Sequence, residues 1–216
     1  ISSKMMYKNA NILFPEMITG KTINLESRRY IGNKSKLTSW IFDNISKETK
    51  DCKTFFDVFA GTATVTKTAF DFYDKIIIND LLYSNNVIYK AFFENSECDK
   101  IKIEKLLTHY NTINSEDLQD NYFSENFGNK FFDYQNSKLI GYIREDIEKQ
   151  KNNLTEKEYN VLLTTLIYNI DKIANTVGHF DAYIKKTIKY KPLEFKLIAT
   201  SEFENIEIAN ETEADL

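Results

Sequence analysis

Two stretches decide the fold: Phe55-Phe56-Asp57-Val58-Phe59-Ala60-Gly61-Thr62-Ala63-Thr64, and downstream of it Lys75-Ile76-Ile77-Ile78-Asn79-Asp80. The first opens with an aromatic-rich run too short for a helix and bounded by a glycine turn, which predicts a buried strand over 55–59. Ala60-Gly61-Thr62-Ala63-Thr64 breaks it. Val65, Ala69 and Phe72 then recur with a period near four, predicting a helix. The β-branched run 75–78 predicts a second strand that ends on a carboxylate. Strand, turn, helix, strand specifies a parallel pair with a crossover, the first half of a doubly wound α/β sheet.

Upstream, after Asn33-Lys34-Ser35-Lys36-Leu37, the spacing of Leu37, Ile41 and Ile45 with Trp40 beside them predicts a helix with one buried face. Downstream, from Tyr83 to about Gln150, the pattern is helices and polar loops, with stripes at Val87 and Ala91, Ile101 and Leu106, and Leu139, Ile143 and Ile147. Thr155-Glu156-Lys157-Glu158 is a capping-box pattern, and Tyr159, Leu162, Leu163, Leu166, Ile167 and Ile170 give the following helix a wide apolar face. After Pro192, Leu193, Phe195, Leu197 and Ala199 alternate with polar residues, so the chain is expected to return to the sheet. The division that follows is an α/β region over 1–90, an inserted, mainly helical lobe over 91–192 and a return strand within 193–216.

At 216 residues the chain is long enough to bury a core without staples, and its 42% hydrophobic and 28% charged residues are those of a globular protein. No apolar run approaches the ~18 residues of a membrane span, so a membrane partner is not expected. Cys52 and Cys98 show no Cys-x-x-Cys spacing, which argues against a disulfide framework or a thiolate metal site and makes a reducing cytoplasm the expected location. No metal is expected. The chain opens at Ile1 rather than Met, which suggests a processed or cut N-terminus. The net charge of -4 conceals a gradient: 7 Lys and Arg against 2 Asp and Glu over 1–40, but 1 against 7 over 193–216.

A backbone passing close to a bulky polar ligand at the end of a first strand needs glycine, because a Cβ would occupy the ligand's space; Gly61 stands there. A ribose lying across the sheet top needs an acceptor at the neighbouring strand tip about 20 residues on. Asp80 follows Gly61 by 19. Together they point to a nucleoside ligand. Taken apart, Gly61 could be a plain tight turn and Asp80 a cap for the helix starting near Tyr83, since Ala63 stands where a second glycine would strengthen the motif.

Four segments resemble the adenine-specific DNA methyltransferases of the DNA adenine methylase type, including their restriction-modification relatives. Arg29-Tyr30-Ile31-Gly32-Asn33-Lys34 is similar to the N-terminal aromatic, small-residue and lysine motif, and Asp57-Val58-Phe59-Ala60-Gly61 to the cofactor loop. Asn79-Asp80 resembles the acidic strand end, and Ala174-Asn175-Thr176-Val177-Gly178-His179-Phe180-Asp181-Ala182-Tyr183 a stretch of the restriction-modification members. The resemblance implies a Rossmann-like sheet that binds S-adenosylmethionine. Tyr30 would stack on its adenine, Lys34 lie near its polar end, Asp80 hold the ribose hydroxyls and Gly61 leave room for the methionine part, within a site that includes Asp57 and Phe59. A lysine in a helix's first turn opposes the dipole, so Lys34 suits an anionic neighbour such as the cofactor's carboxylate. Implied too is methyl transfer to the exocyclic amine of adenine flipped from a short target in double-stranded DNA, as in the modification arm of a restriction system.

The family's Asp-Pro-Pro-Tyr segment, which would accept from that amine and stack on the base, has no counterpart: Pro15 and Pro192 are isolated. No catalytic residue is therefore assigned. Glu213-Ala214-Asp215-Leu216 resembles what members carry just before the strand bearing that motif, so the expectation is a chain one strand short, with an incomplete sheet, that binds cofactor weakly and transfers nothing alone. For DNA, the interleaving of Lys185, Lys186 and Lys189 with His179, Phe180 and Tyr183 suits phosphate contact with stacking. His179 is expected to act as a hydrogen-bonding contact, and Arg28 and Arg29 as backbone contacts. The rival readings are a non-catalytic nucleotide- or DNA-binding module, and a methyltransferase acting on RNA or a small molecule.

Overall fold

The computed structural model describes residues 11–12, 23–25 and 37–209. Arg28, Arg29, Tyr30, Lys34 and the closing residues 213–216 lie outside the described residues. Strand β1 (Asn11–Ile12) pairs antiparallel with β4 (Ser201–Glu202). The main sheet is parallel, three-stranded and ordered β2 (Thr54–Asp57), β3 (Lys75–Ile78), β5 (Ile206–Ile208). Phe55 lies opposite Ile76, and Ile76 opposite Ile206. Helix α1 (Thr38–Glu48) precedes β2, and the short α2 (Thr64–Ala69) makes the crossover to β3. Between β3 and β5 run α3 (Tyr83–Phe93), α4 (Lys100–Thr112), α5 (Tyr122–Phe127), α6 (Tyr134–Lys149) and α7 (Glu156–Ile173).

Ile76 and Ile78 stand two apart on β3, hence on one face, and both are fully buried. The expected strand at 55–59 is present but shorter and less covered: Phe56 is 41% and Phe59 78% exposed. On α1 the buried residue is Phe42, stacked on Phe72, with Ile41 and Ile45 partly buried beside it, while Leu37 and Trp40 are exposed. The sheet contacts the stripe carrying Phe42, and residues two apart on a helix point some 200° away from each other, which puts Trp40 outside. Likewise Ile101 is exposed on α4, where Ile103, Leu107 and Tyr110 face inward. The alternating residues 193–199 form no sheet strand: Phe195, Leu197 and Ile198 pack into the core, and only Ile198 makes a bridge, to Ile23. The strand that rejoins the sheet is Ile206–Ile208, because its N–H and C=O groups extend the ladder of β3, whereas Phe195 N–H and Lys196 N–H are taken by the side chains of Asn111 and Asn169.

One buried cluster runs from Ala63 and Ile78 through Ile88, Ala91 and Phe92 of α3 to Val161 and Leu162 of α7 and Ile143 of α6. Helix α3 is thus held between sheet and helices. Its C-terminus is fixed by the fully buried Lys157, whose Nζ donates to the carbonyls of Lys90 (3.2 Å) and Glu94 (2.6 Å), a positive charge at the negative helix end. The capping box at Thr155 and Glu158 is formed. Its carboxylate also accepts from Asp99 N–H at 2.9 Å and Lys102 Nζ at 2.7 Å, joining the starts of α4 and α7.

Burial works against ionising Glu158, but the hydrogen bonds from Lys102, Asp99 and Thr155 outweigh it and hold its carboxyl below the usual carboxylate value. Its ionised form therefore stabilises the fold above the unfolded-state pKa, and that contribution is lost as the pH falls through the lowered folded value. Glu158→Gln is expected to lose roughly 2–3 kcal/mol at neutral pH, and the deficit should shrink on acidification, read by urea unfolding across pH. Gly141 on α6 faces the Asn121 side chain, with Nδ2 2.8 Å from where a Cβ would stand; that amide caps α5 and donates to Lys138 O. Gly141→Ala should cost roughly 2–4 kcal/mol in the same assay by expelling the cap.

Candidate functional site

The carboxyl ends of β2 and β3 are tied together beyond the regular ladder. Asn79 N–H donates to Asp57 O at 2.9 Å and Ala60 N–H to Asn79 O at 3.0 Å, while Asn79 Nδ2 reaches Val58 O at 3.1 Å. The oxygen of that amide, Oδ1, is buried with no hydrogen-bond partner among the described residues. These bonds carry the chain off β2 into a turn with two left-handed residues, Gly61 (φ 55°) and Ala63 (φ 56°). Gly61 tolerates this freely; for Ala63, fully buried at the start of α2, it costs about 1–2 kcal/mol. Strain of this kind concentrates where a site requires a fixed backbone shape.

Gly61 is gripped on both flanks. Its N–H donates to Asp80 Oδ2 at 2.8 Å, and its C=O accepts from the hydroxyl of Tyr89, buried on α3, at 2.7 Å. The other carboxylate oxygen, Asp80 Oδ1, accepts from Leu82 N–H and Asn85 Nδ2, both at 2.9 Å. Asp80 thus serves the turn and the start of α3 at once, so the two sequence readings of it, strand-tip acceptor and helix-start partner, are not exclusive. Asp57 Oδ2 accepts from Thr66 Oγ1 at 2.6 Å, locking β2 to α2. Around these polar groups stand exposed Phe59, Leu81 (81%) and Tyr83 (68%). Their apolar surface beside an anchored carboxylate and a glycine turn is chemically suited to a flat, partly polar ligand such as a nucleoside.

Sequence reasoning placed Asp57, Phe59, Gly61 and Asp80 together, and the fold does bring them to neighbouring strand ends. Tyr30, Lys34, Arg28 and Arg29 lie outside the described residues. Missed were Tyr89, Asn85 and Thr66, and Asn79 was read only as part of the acidic strand end. Asn85 and Tyr89 are four apart, one above the other on a helix face, but only the structure shows that face to be buried, where polar groups need partners.

The second group of residues forms a loop at the far end of α7. Thr176 and Tyr183 bridge antiparallel, and Asn175, buried, closes the base. Its N–H donates to Phe131 O (2.7 Å), its Nδ2 to Lys130 O (2.9 Å) and Ile184 O (2.8 Å), and its C=O accepts from Ile184 N–H (3.0 Å). Phe131 packs against Phe180 and Tyr183 with ring centroids 6.0 and 5.3 Å apart. His179 Nδ1 lies 3.1 Å from the Asp181 carboxylate without hydrogen-bond geometry. Lys185, Lys186, Lys189, Tyr190 and Lys191 are exposed. Among the described residues no His, Cys, Asp and Glu cluster could hold a metal, no helix is long and apolar enough to cross a membrane, and Cys52 and Cys98 form no disulfide.

Residues 30–216 match the family described as D12 class N6 adenine-specific DNA methyltransferase. The chain is 34% identical over 164 residues to the type II methyltransferase M.CviAII of Paramecium bursaria Chlorella virus 1, covering 73% of this chain and 49% of that protein. It is 32% identical over 178 residues to the type II methyltransferase M.NlaIII of Neisseria lactamica, covering 77% and 53%. With the modification methylase LlaI of Lactococcus lactis subsp. lactis the identity is 30% over 191 residues, covering 78% and 30%. The chain thus spans about half the length, or less, of these relatives. No solved structure matches it. A match that runs from Tyr30 to the last residue makes the chain a member of the D12 class N6 adenine-specific DNA methyltransferases.

Proposed function

We propose that the chain provides the S-adenosylmethionine-binding and DNA-recognition parts of a site-specific adenine methyltransferase of a restriction-modification system. The reading assigns the cofactor to a Rossmann-like region over 1–90, target recognition to 91–192 and a return to the sheet within 193–216. The observation that carries it is the anchored Asp80 beside the left-handed Gly61 at the tips of two parallel strands. Asp80 fits the ribose: a carboxylate has about four acceptor positions, and three are taken, which leaves room for about one more donor. Phe59 contributes exposed apolar surface, Asp57 holds α2 through Thr66, and Tyr30 and Lys34 complete the proposed set. When bound, the cofactor supplies an electrophilic methyl group on a sulfonium.

The loop clamped by Asn175 supports the DNA reading. A hydrogen-bonded base and an aromatic anchor at Phe131 fix the loop, while exposed Lys185, Lys186 and Lys189 with Phe180 and Tyr183 present charge and rings for phosphate and base contact. Arg28, Arg29 and His179 extend the proposed surface.

Calorimetry with S-adenosylmethionine tests the cofactor half: the chain is expected to bind, and Asp80→Asn to weaken binding roughly ten- to a hundredfold through loss of a charge-assisted hydrogen bond. No heat from the unaltered chain at millimolar ligand overturns the reading. Duplex DNA tests the other half. If four lysines of 185–191 contact phosphates, affinity should fall about a hundredfold between 50 and 200 mM salt, and a flat response would instead favour an RNA, small-molecule or non-DNA role. Asn175→Ala leaves the backbone groups of residues 130 and 184 without their partner and should weaken duplex binding about tenfold while keeping that salt slope, because the lysines remain.

A further inference from the structure

Glycine at 61 permits the left-handed turn but does nothing to hold it, because glycine has the widest backbone freedom of any residue. Something else must hold it. Two side chains do, from opposite flanks of the Gly61 Cα: Asp80 takes the N–H at 2.8 Å and Tyr89 donates to the C=O at 2.7 Å. One bond restrains the peptide before the Cα and the other the peptide after it, so both backbone torsions are pinned. Asp80 is itself fixed by Leu82 N–H and Asn85 Nδ2, and Asn85 and Tyr89 sit four apart on α3.

Helix α3 is the rigid part of this arrangement. It is buried along Val87, Ile88, Tyr89, Ala91, Phe92 and Phe93, and Lys157 ties down its last carbonyls. A Tyr hydroxyl buried this deeply must bond to something, and a Phe ring would fill the same volume at no desolvation cost. The hydroxyl therefore does work that packing does not require: it transmits the position of α3 to the glycine turn.

We infer that Tyr89 is a positioning residue for the nucleoside site, holding the Gly61 turn in its ligand-accepting shape from α3, with Asn85 doing the same for Asp80. The inference rests on the cofactor reading above and assigns Tyr89 no contact with the ligand. It predicts that removing one oxygen atom far down in the core alters ligand affinity out of proportion to fold stability.

The test compares Tyr89→Phe with Tyr168→Phe in the full chain. Tyr168 is likewise buried, and its hydroxyl also donates to a backbone carbonyl, Leu25 O at 2.9 Å, rather than to the glycine turn. Each variant loses one neutral hydrogen bond, so both melting temperatures should fall by about 2–4 °C. Only Tyr89→Phe should weaken S-adenosylmethionine binding by calorimetry, about three- to tenfold, and speed hydrogen exchange at the Gly61 amide by a similar factor. Unchanged affinity in Tyr89→Phe, with the unaltered chain binding normally, overturns the inference and leaves the cofactor reading standing. Equal weakening in Tyr168→Phe also overturns it, since the effect would then be general loss of stability. If the unaltered chain does not bind S-adenosylmethionine, both fall. Should Tyr89→Phe not fold, Asn85→Ala carries the same comparison through Asp80: weaker binding supports the inference, and unchanged binding overturns it.

Discussion

The stitching of the β2 and β3 tips is the constraint on which the rest depends. A parallel pair ends its regular ladder at Asp57 and Ile78, and an ordinary loop would leave at that point with its polar groups turned to water. Here the pairing continues through Asn79, whose N–H, C=O and amide all engage residues 57–60. The chain leaving β2 is consequently held against β3 for a further turn, and Gly61 and Asp80, far apart in sequence, arrive within hydrogen-bond distance. Without those bonds the glycine would be a hinge rather than a fixed turn.

The same tips are connected to the helices through a single continuous core. Tyr89, Asn85 and the buried face of α3 touch the turn at one end, while α7 with Lys157 holds the other end of that helix. A change in the packing of α3 is therefore felt at the strand tips, because a close-packed interior transmits displacement rather than absorbing it. The Asn175 loop uses a comparable device on a smaller scale: one buried amide replaces a run of β-ladder and closes a loop whose outer residues remain exposed.

Much of this was legible from residue order. Phe55 to Asp80 read as strand, turn, helix, strand, and the capping box at Thr155 marked the start of α7. Gly61 and Asp80 stood out because glycine at a strand end and a carboxylate at the next strand end have specific chemical uses. The misreadings share a cause. Trp40, Leu37, Ile101 and the alternating 193–199 all carry the periodicity of a buried face, but periodicity states that a face exists and not which neighbour will cover it. Phe42 rather than Trp40 is inside because Phe55 and Phe72 meet it there.

What the sequence by itself determined was the strand, turn, helix, strand order of residues 55–80, the family, and the two residues whose chemistry suits a nucleoside, since each follows from local pattern and residue type. Only the tertiary structure decided how those residues are held. Tyr89 and Asn85 read as ordinary members of a helix until α3 is laid against the strand tips. Hydrogen bonds between groups that far apart in the chain depend on packing angle and depth, to which no local pattern responds.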